Sequence, residues 1–200
     1  MIFKQETQIL KCTFEKEHFS KVKAAFKDRW PVVYIIEDDE KGQAYIGEST
    51  NICTRICDHW NNTERRALKN IYIIFNKVFN KSVILDLEAF LIGYIVADGK
   101  YRLQNGNGGQ HVHNYYLRDE YQREFRHIWQ LLQDEGVVRH GITLLENQDL
   151  FKYSPYKILN LDQFNVAVQI LTDLKSDLGN NNQSRSFIID GGAGTGKSIL

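Results

Sequence analysis

Eight residues near the C-terminus, Gly191-Gly192-Ala193-Gly194-Thr195-Gly196-Lys197-Ser198, constrain the backbone more narrowly than any other stretch of the chain. Glycines at this spacing let successive backbone N–H groups turn inward around phosphate oxygens, while a lysine reaches the outer phosphates and a serine hydroxyl holds Mg²⁺. The motif is a phosphate-binding loop, with Gly191, Gly194, Gly196, Lys197 and Ser198 as its working residues. Ser186-Phe187-Ile188-Ile189-Asp190 reads as the short buried strand leading into it. An ATPase also needs a helix behind the loop and an acidic strand further on to serve the metal. The sequence stops at Leu200, so these residues are expected to open an incomplete α/β ATPase domain of a longer protein. ATP is then a cofactor of the full-length protein only, and activity of the chain itself must lie upstream.

Upstream of that loop the composition supports a packed core, with 42% hydrophobic and 12% aromatic residues. Formal net charge is zero, so a nucleic-acid partner must be argued from local residues and not from the total. Three cysteines, Cys12, Cys53 and Cys57, fit a reducing compartment better than a disulfide framework or a zinc site. The N-terminus carries no signal-peptide pattern and no apolar run is long enough to cross a bilayer, so a cytoplasmic protein without a membrane partner is expected.

Periodicity organises the rest. Phe19, Val22 and Phe26 lie at helical spacing within 14–29, and Pro31 ends that helix. Val32-Val33-Tyr34-Ile35-Ile36 and Ala44-Tyr45-Ile46-Gly47 flank an acidic turn and predict a β-hairpin. Thr50 or Asn51 caps a helix over 52–60, a strand follows at 70–75, and Ser82 caps a long apolar helix through Ala97. The Gly/Asn-rich run 105–109 is a loop, after which helices are expected near 118–133 and 162–174. The order α-β-β-α-β-α-α implies an α+β fold, a small mixed and mainly antiparallel sheet flanked by helices. A helical connector and the first strand of the ATPase domain would follow. The domain boundaries expected are 1–29 for an N-terminal helical extension, 30–117 for the α+β domain, 118–157 for the connector and 158–200 for the truncated nucleotide-binding part.

The hairpin and the helices after it carry the chemistry. A turn centred between Asp39 and Glu40 would set Tyr34 directly opposite Tyr45. Two neighbouring phenols on one face are commonly plain packing. Arg55 and His59 share a helix face one turn apart. Glu88 shares the apolar stripe of Ile84, Leu91, Ile92 and Ile95, where a carboxylate is costly unless it is paired or binds a metal. A structural salt bridge from Arg55 to Glu88 is the plainer alternative.

Val32-Val33-Tyr34, Tyr45-Ile46-Gly47, Arg55 with His59 four later, Glu88, and an asparagine after the long helix together resemble the GIY-YIG nuclease superfamily over roughly residues 30–110. The chain departs from the family pattern at Val32-Val33, and at Glu48, where some relatives carry lysine. The resemblance implies a metal-dependent endonuclease hydrolysing DNA phosphodiesters, with RNA left open. It implies Glu88 as ligand to Mg²⁺ or Mn²⁺, Arg55 neutralising the scissile phosphate, Tyr34 as general base and Tyr45 orienting phosphate or water. His59 would accept the Tyr34 proton, and Asn105, or Asn107, would be the family's asparagine. Arg65, Arg66 and Lys69 would grip backbone phosphates unless they are simply solvated charge. His111 and His113 would contact substrate or support the fold. Further on, Leu159-Asn160-Leu161-Asp162-Gln163-Phe164 followed by the phosphate loop resembles the opening of superfamily 1 helicases, which would make Gln163 the adenine reader. The whole arrangement is similar to bacterial proteins joining a GIY-YIG nuclease to a Schlafen-type helicase domain. A competing reading makes residues 1–150 an inactive nucleic-acid-binding or regulatory module of an ATP-dependent helicase.

Overall fold

The computed structural model describes residues 7–26, 29–106, 109 and 114–147, with single positions at 166, 169, 170 and 188. Gln163, the loop residues Gly191, Gly194, Gly196, Lys197 and Ser198, and Asn107, His111 and His113 all lie outside the described residues. So do the 149–157 connector and most of the helix expected at 162–174.

The described part is α+β. Strands β1 (Gln8–Thr13), β2 (Val32–Asp38), β3 (Gln43–Ser49), β4 (Asn70–Phe75) and β5 (Arg102–Leu103) form one sheet in the order β1-β4-β2-β3-β5. All neighbours are antiparallel except β3 and β5. Residues 32–36 of β2 are apolar without alternation because both faces of this central strand are covered, and the two acidic residues that end it, Glu37 and Asp38, are buried as well. One face carries Val32, Tyr34, Ile36, Ile71 and Ile73 under α1 (Phe19–Ala25), α2 (Ile52–Asn61) and α3 (Thr63–Arg66). The other carries Val33, Ile35, Ile46, Tyr72 and Ile74 under α4 (Lys81–Asp98), α5 (Arg118–Asp134) and α6 (Ile142–Glu146). α4 is apolar nearly all round because it is enclosed between the sheet and α5.

Several elements differ from expectation. The N-terminal helix is short, and a strand, β1, precedes it and pairs along its whole length with β4. The short helices α3 and α6 and the strand β5 were not anticipated either. Asn51 caps α2, its side chain accepting from the Thr54 N–H, whereas α4 is capped by Asn80, accepting from the Val83 N–H, and not by Ser82. The hairpin register is also corrected. Asp38 Oδ1 accepts from the backbone N–H of Glu40 and Lys41 at 3.1 and 3.2 Å, which organises a longer turn over 39–42. Tyr34 therefore faces Gly47, and Tyr45 faces Ile36. The shift is an even one, so both tyrosines keep the same face of the sheet.

Candidate active site

Tyr34 points from the middle of β2 toward α2, and only the absence of a side chain opposite makes room for it. A Cβ on Gly47 would collide with the Tyr34 hydroxyl and stand 2.5 Å from Cζ. The Tyr45 ring lies diagonally across the strand pair, its centroid 6.3 Å from that of Tyr34. α2 then presents two side chains to the phenols. His59, fully buried, places Nε2 2.6 Å from the Tyr34 hydroxyl, and Arg55 Nε donates to the same oxygen at 3.3 Å. The Tyr45 ring packs against His59 at a tilt of 57°, with centroids 4.8 Å apart. Four of the residues expected in the site, Tyr34, Tyr45, Arg55 and His59, are thus brought into one cluster.

The charge states of this cluster follow from burial. Desolvation holds the Tyr34 hydroxyl well above the ordinary phenol range, the neighbouring Tyr45 adds to the rise, and Arg55 works against it. His59 is pushed down to about 3 by burial first and then by the two guanidinium groups of Arg55 and Arg65, so its imidazole is neutral at physiological pH. Arg55 remains charged and interacts with both phenols.

Arg65 belongs to the cluster although spacing gave no reason to place it there. Its NH1 lies 2.9 Å from His59 Nδ1, and its guanidinium covers the Tyr45 ring at 3.9 Å from the centroid. The signal available in sequence was only Asn62, which caps α3 by accepting from the N–H groups of Glu64 and Arg65. Arg66 is exposed, and Lys69 pairs with Glu40 and Asp38. Cys53 and Cys57 turn their thiols to the carbonyls of Phe26 and Cys53.

Glu88 reaches the same region from the other face of the sheet. Burial first, and then the negative charge of Glu48, push its carboxyl up to about 7, against the pull of Lys81, Arg55 and a hydrogen bond from the Glu48 backbone N–H. Among the described ion pairs none joins Arg55 to Glu88, so the plain salt bridge is not formed. Arg55 nevertheless influences both Glu88 and Tyr34 electrostatically. Glu48 itself pairs with Lys81 through Oε1, while its Oε2 is buried without a partner. Two mutually repelling, partly buried carboxylates with an unsatisfied oxygen are a donor set suited to a hard divalent cation, which takes oxygen ligands. Among the described residues no group of three or more His, Cys, Asp or Glu could hold a metal ion, so water and phosphate oxygens would complete any coordination shell.

Two features shape the rim. Among the described residues β5 pairs with β3 only at Gln43 and Ala44, and no strand pairs with Tyr45–Ser49 on that side. Asn105 closes part of it, accepting from the Ile46 N–H at 3.0 Å and donating to the Ile46 carbonyl at 2.8 Å. Its amide is thereby engaged with backbone. Gly109, at φ 80, lies so close to α4 that a Cβ there would stand 2.9 Å from the Cα of Ala89, the neighbour of Glu88.

Residues 31–102 match the model of the GIY-YIG catalytic domain. That stretch is a little over a third of the chain and contains Tyr34, Tyr45, Arg55, His59 and Glu88, while Asn105 falls just beyond it. The fold described above agrees with this assignment, and the domain supports a nuclease, acting on nucleic acid, as the general class of activity. No curated protein and no solved structure matches the chain.

Proposed function

We propose that the domain built around residues 31–102 is a metal-dependent endonuclease that hydrolyses phosphodiester bonds in DNA. The observation that carries this reading is the cluster in which Arg55 and His59 both meet the Tyr34 hydroxyl, at 3.3 and 2.6 Å, inside the stretch that matches the GIY-YIG catalytic domain. A phenol held by a guanidinium, with the partly buried Glu88 carboxyl within reach of the same charge, suits attack of water on a phosphate. Glu88, with Glu48 beside it, would hold Mg²⁺ or Mn²⁺. The bound ion would supply positive charge where the scissile phosphate gains negative charge. Arg55 adds to that stabilisation from a fixed position, so little reorganisation is needed at the moment of reaction. Tyr34 takes a proton from the attacking water once it is a phenolate, a state that Arg55 favours. Tyr45, held between His59 and Arg65, orients the phosphate or the water.

The phosphate-loop motif near the C-terminal end would belong to an ATP-driven, helicase-like motor. Its proposed nucleotide contacts are Gly191, Gly194, Gly196, Lys197, Ser198 and Gln163, and the support is the sequence motif alone. The motor would bring DNA to the nuclease or remodel it for cutting.

The test is plasmid cleavage by the purified chain with Mg²⁺ or Mn²⁺. Glu88→Ala should lower nicking by about 100-fold or more, since one well-placed electrostatic group contributes on that scale. The variant should unfold at an unchanged urea midpoint or a higher one, because a costly buried carboxylate has been removed. Undiminished cutting by Glu88→Ala defeats the assignment. Retention of DNA with no product under either metal would favour the inactive binding module instead.

A further inference from the structure

We infer that Arg65 is a positioning residue that fixes the tautomer of His59, so that His59 donates its Nε2–H to Tyr34 and does not receive the Tyr34 proton. The inference rests on the nuclease reading for its consequence, though not for its geometry. A guanidinium carries five N–H donors and no acceptor. Arg65 NH1 at 2.9 Å from His59 Nδ1 therefore requires a lone pair on Nδ1. In a neutral imidazole the proton then sits on Nε2, which faces the Tyr34 oxygen at 2.6 Å. Arg55 Nε donates to that oxygen as well, at 3.3 Å. Both acceptor sites of the phenol oxygen are filled from α2, so its own proton must point away from His59.

The local structure keeps Arg65 in this role. Asn62 caps α3 and holds the Arg65 N–H at 3.0 Å, while the Asn62 N–H donates to the His59 carbonyl at 3.1 Å. That short bridge folds Arg65 back over the end of α2. The Tyr45 ring then flanks the guanidinium, limiting where its donors can point. An imidazolium is disfavoured in the same place, because an Nδ1–H would meet the guanidinium N–H and no described carboxylate pairs with the ring.

The chemical consequence is a change of role for His59. It and Arg55 form a two-donor seat for a Tyr34 phenolate, comparable to an oxyanion hole turned toward the base. Before turnover the phenol proton passes from Tyr34, fully buried in this structure, to a water that enters with substrate and not to His59. The phenolate then takes one proton from the attacking water as that water's oxygen bonds to phosphorus, while the phosphorus–oxygen bond to the leaving strand end breaks and the departing alkoxide takes a proton from solvent water.

The experiment is long-range ¹⁵N NMR of the full chain labelled at histidine, with His59→Gln identifying the His59 signals. Wild type should show a neutral His59 protonated at Nε2. Arg65→Met should shift the ring toward the Nδ1–H tautomer, and Arg65→Lys, which keeps a donor, should hold it at Nε2. In cleavage assays Arg65→Met should lower kcat by about tenfold to a hundredfold with little change in KM, the scale of a misplaced catalytic group, and Arg65→Lys should recover most of it. A wild-type His59 protonated at Nδ1, or a tautomer indifferent to Arg65→Met in a protein with native dispersion, overturns the proposal. Absence of cleavage with the tautomer shifts intact would instead count against the nuclease reading alone.

Discussion

At the scale of single residues, the site is a set of compromises between burial and charge. His59 shows this most clearly, because a fully buried imidazole beside Arg55 and Arg65 cannot take up a proton without large cost. In the unfolded chain the same side chain titrates near its ordinary value of about 6.5. Below that pH the unfolded state binds a proton that the native state refuses down to about 3, so stability falls as the solution is acidified. The loss should reach about 1.4 kcal/mol per pH unit between roughly pH 6 and 4, beyond whatever other groups contribute. His59→Gln, which does not titrate, should lack this component, as urea midpoints at pH 7, 6 and 5 would reveal. Equal slopes for the two proteins would show that His59 is protonated in the native state. The sequence made His59 visible because it stands one helical turn from Arg55. Arg65 was legible only as a phosphate-gripping cation, and its place beside His59 was hidden because it reaches the cluster through a four-residue helix, too short for periodicity to register. Gly47 carries a related lesson. A glycine ending a strand pattern looks like a turn signal, whereas here it is the space into which the Tyr34 hydroxyl fits.

Among the elements, β3 decides how the site is presented. It brings Tyr45 and Gly47 to one face and Glu48 to the other, and among the described residues no strand pairs with Tyr45–Ser49 on the side away from β2. Asn105 substitutes for that missing neighbour by pairing with both polar groups of Ile46. Asn105→Ala should cost about 1–3 kcal/mol, since a backbone donor and acceptor lose their partners together. It should also speed hydrogen exchange at the Ile46 amide while leaving the β2 amides protected. Loss of activity without faster exchange at Ile46 would assign Asn105 to the chemistry and not to the edge. The hairpin itself was legible from its apolar runs, but its register was not. Symmetry about the acidic cluster puts Tyr34 against Tyr45, and only the Asp38 side chain, bonding to Glu40 and Lys41, lengthens the turn. β1 escaped notice because a strand is defined by its partner, and its partner β4 lies about sixty residues away in sequence. Its apolar Ile9 and Leu10 are adjacent and face opposite sides of the sheet, so no alternation announces them.

Taken as a whole, the molecule extends the catalytic domain on both sides of the stretch that matches the family. Residues 31–102 contain β2, β3, β4 and α4 but neither β1 nor α5. From the N-terminal side, Phe14, Phe19, Val22 and Phe26 seal the sheet face that carries Tyr34. From the C-terminal side, Tyr121, Phe125, Ile128, Trp129 and Leu132 form the buried stripe of α5 against α4. Full burial of one such side chain contributes about 1.5–3 kcal/mol. A typical domain has a net stability of only about 5–15 kcal/mol. The apolar contacts made by nine buried side chains of this size are on the scale of that whole margin. A polypeptide of residues 31–102 should therefore fail to fold, exposing the β4 edge and an apolar α4, and it should aggregate. Residues 7–147 should melt cooperatively and, if the endonuclease reading holds, nick DNA as the full chain does. Thermal denaturation followed by circular dichroism separates the cases. A cooperative transition for 31–102 with the same midpoint as 7–147 would mean that the flanking elements are accessory. The expected outcome is that only the longer piece melts as a unit, because the flanks complete the core under which Tyr34, His59 and Glu88 are held.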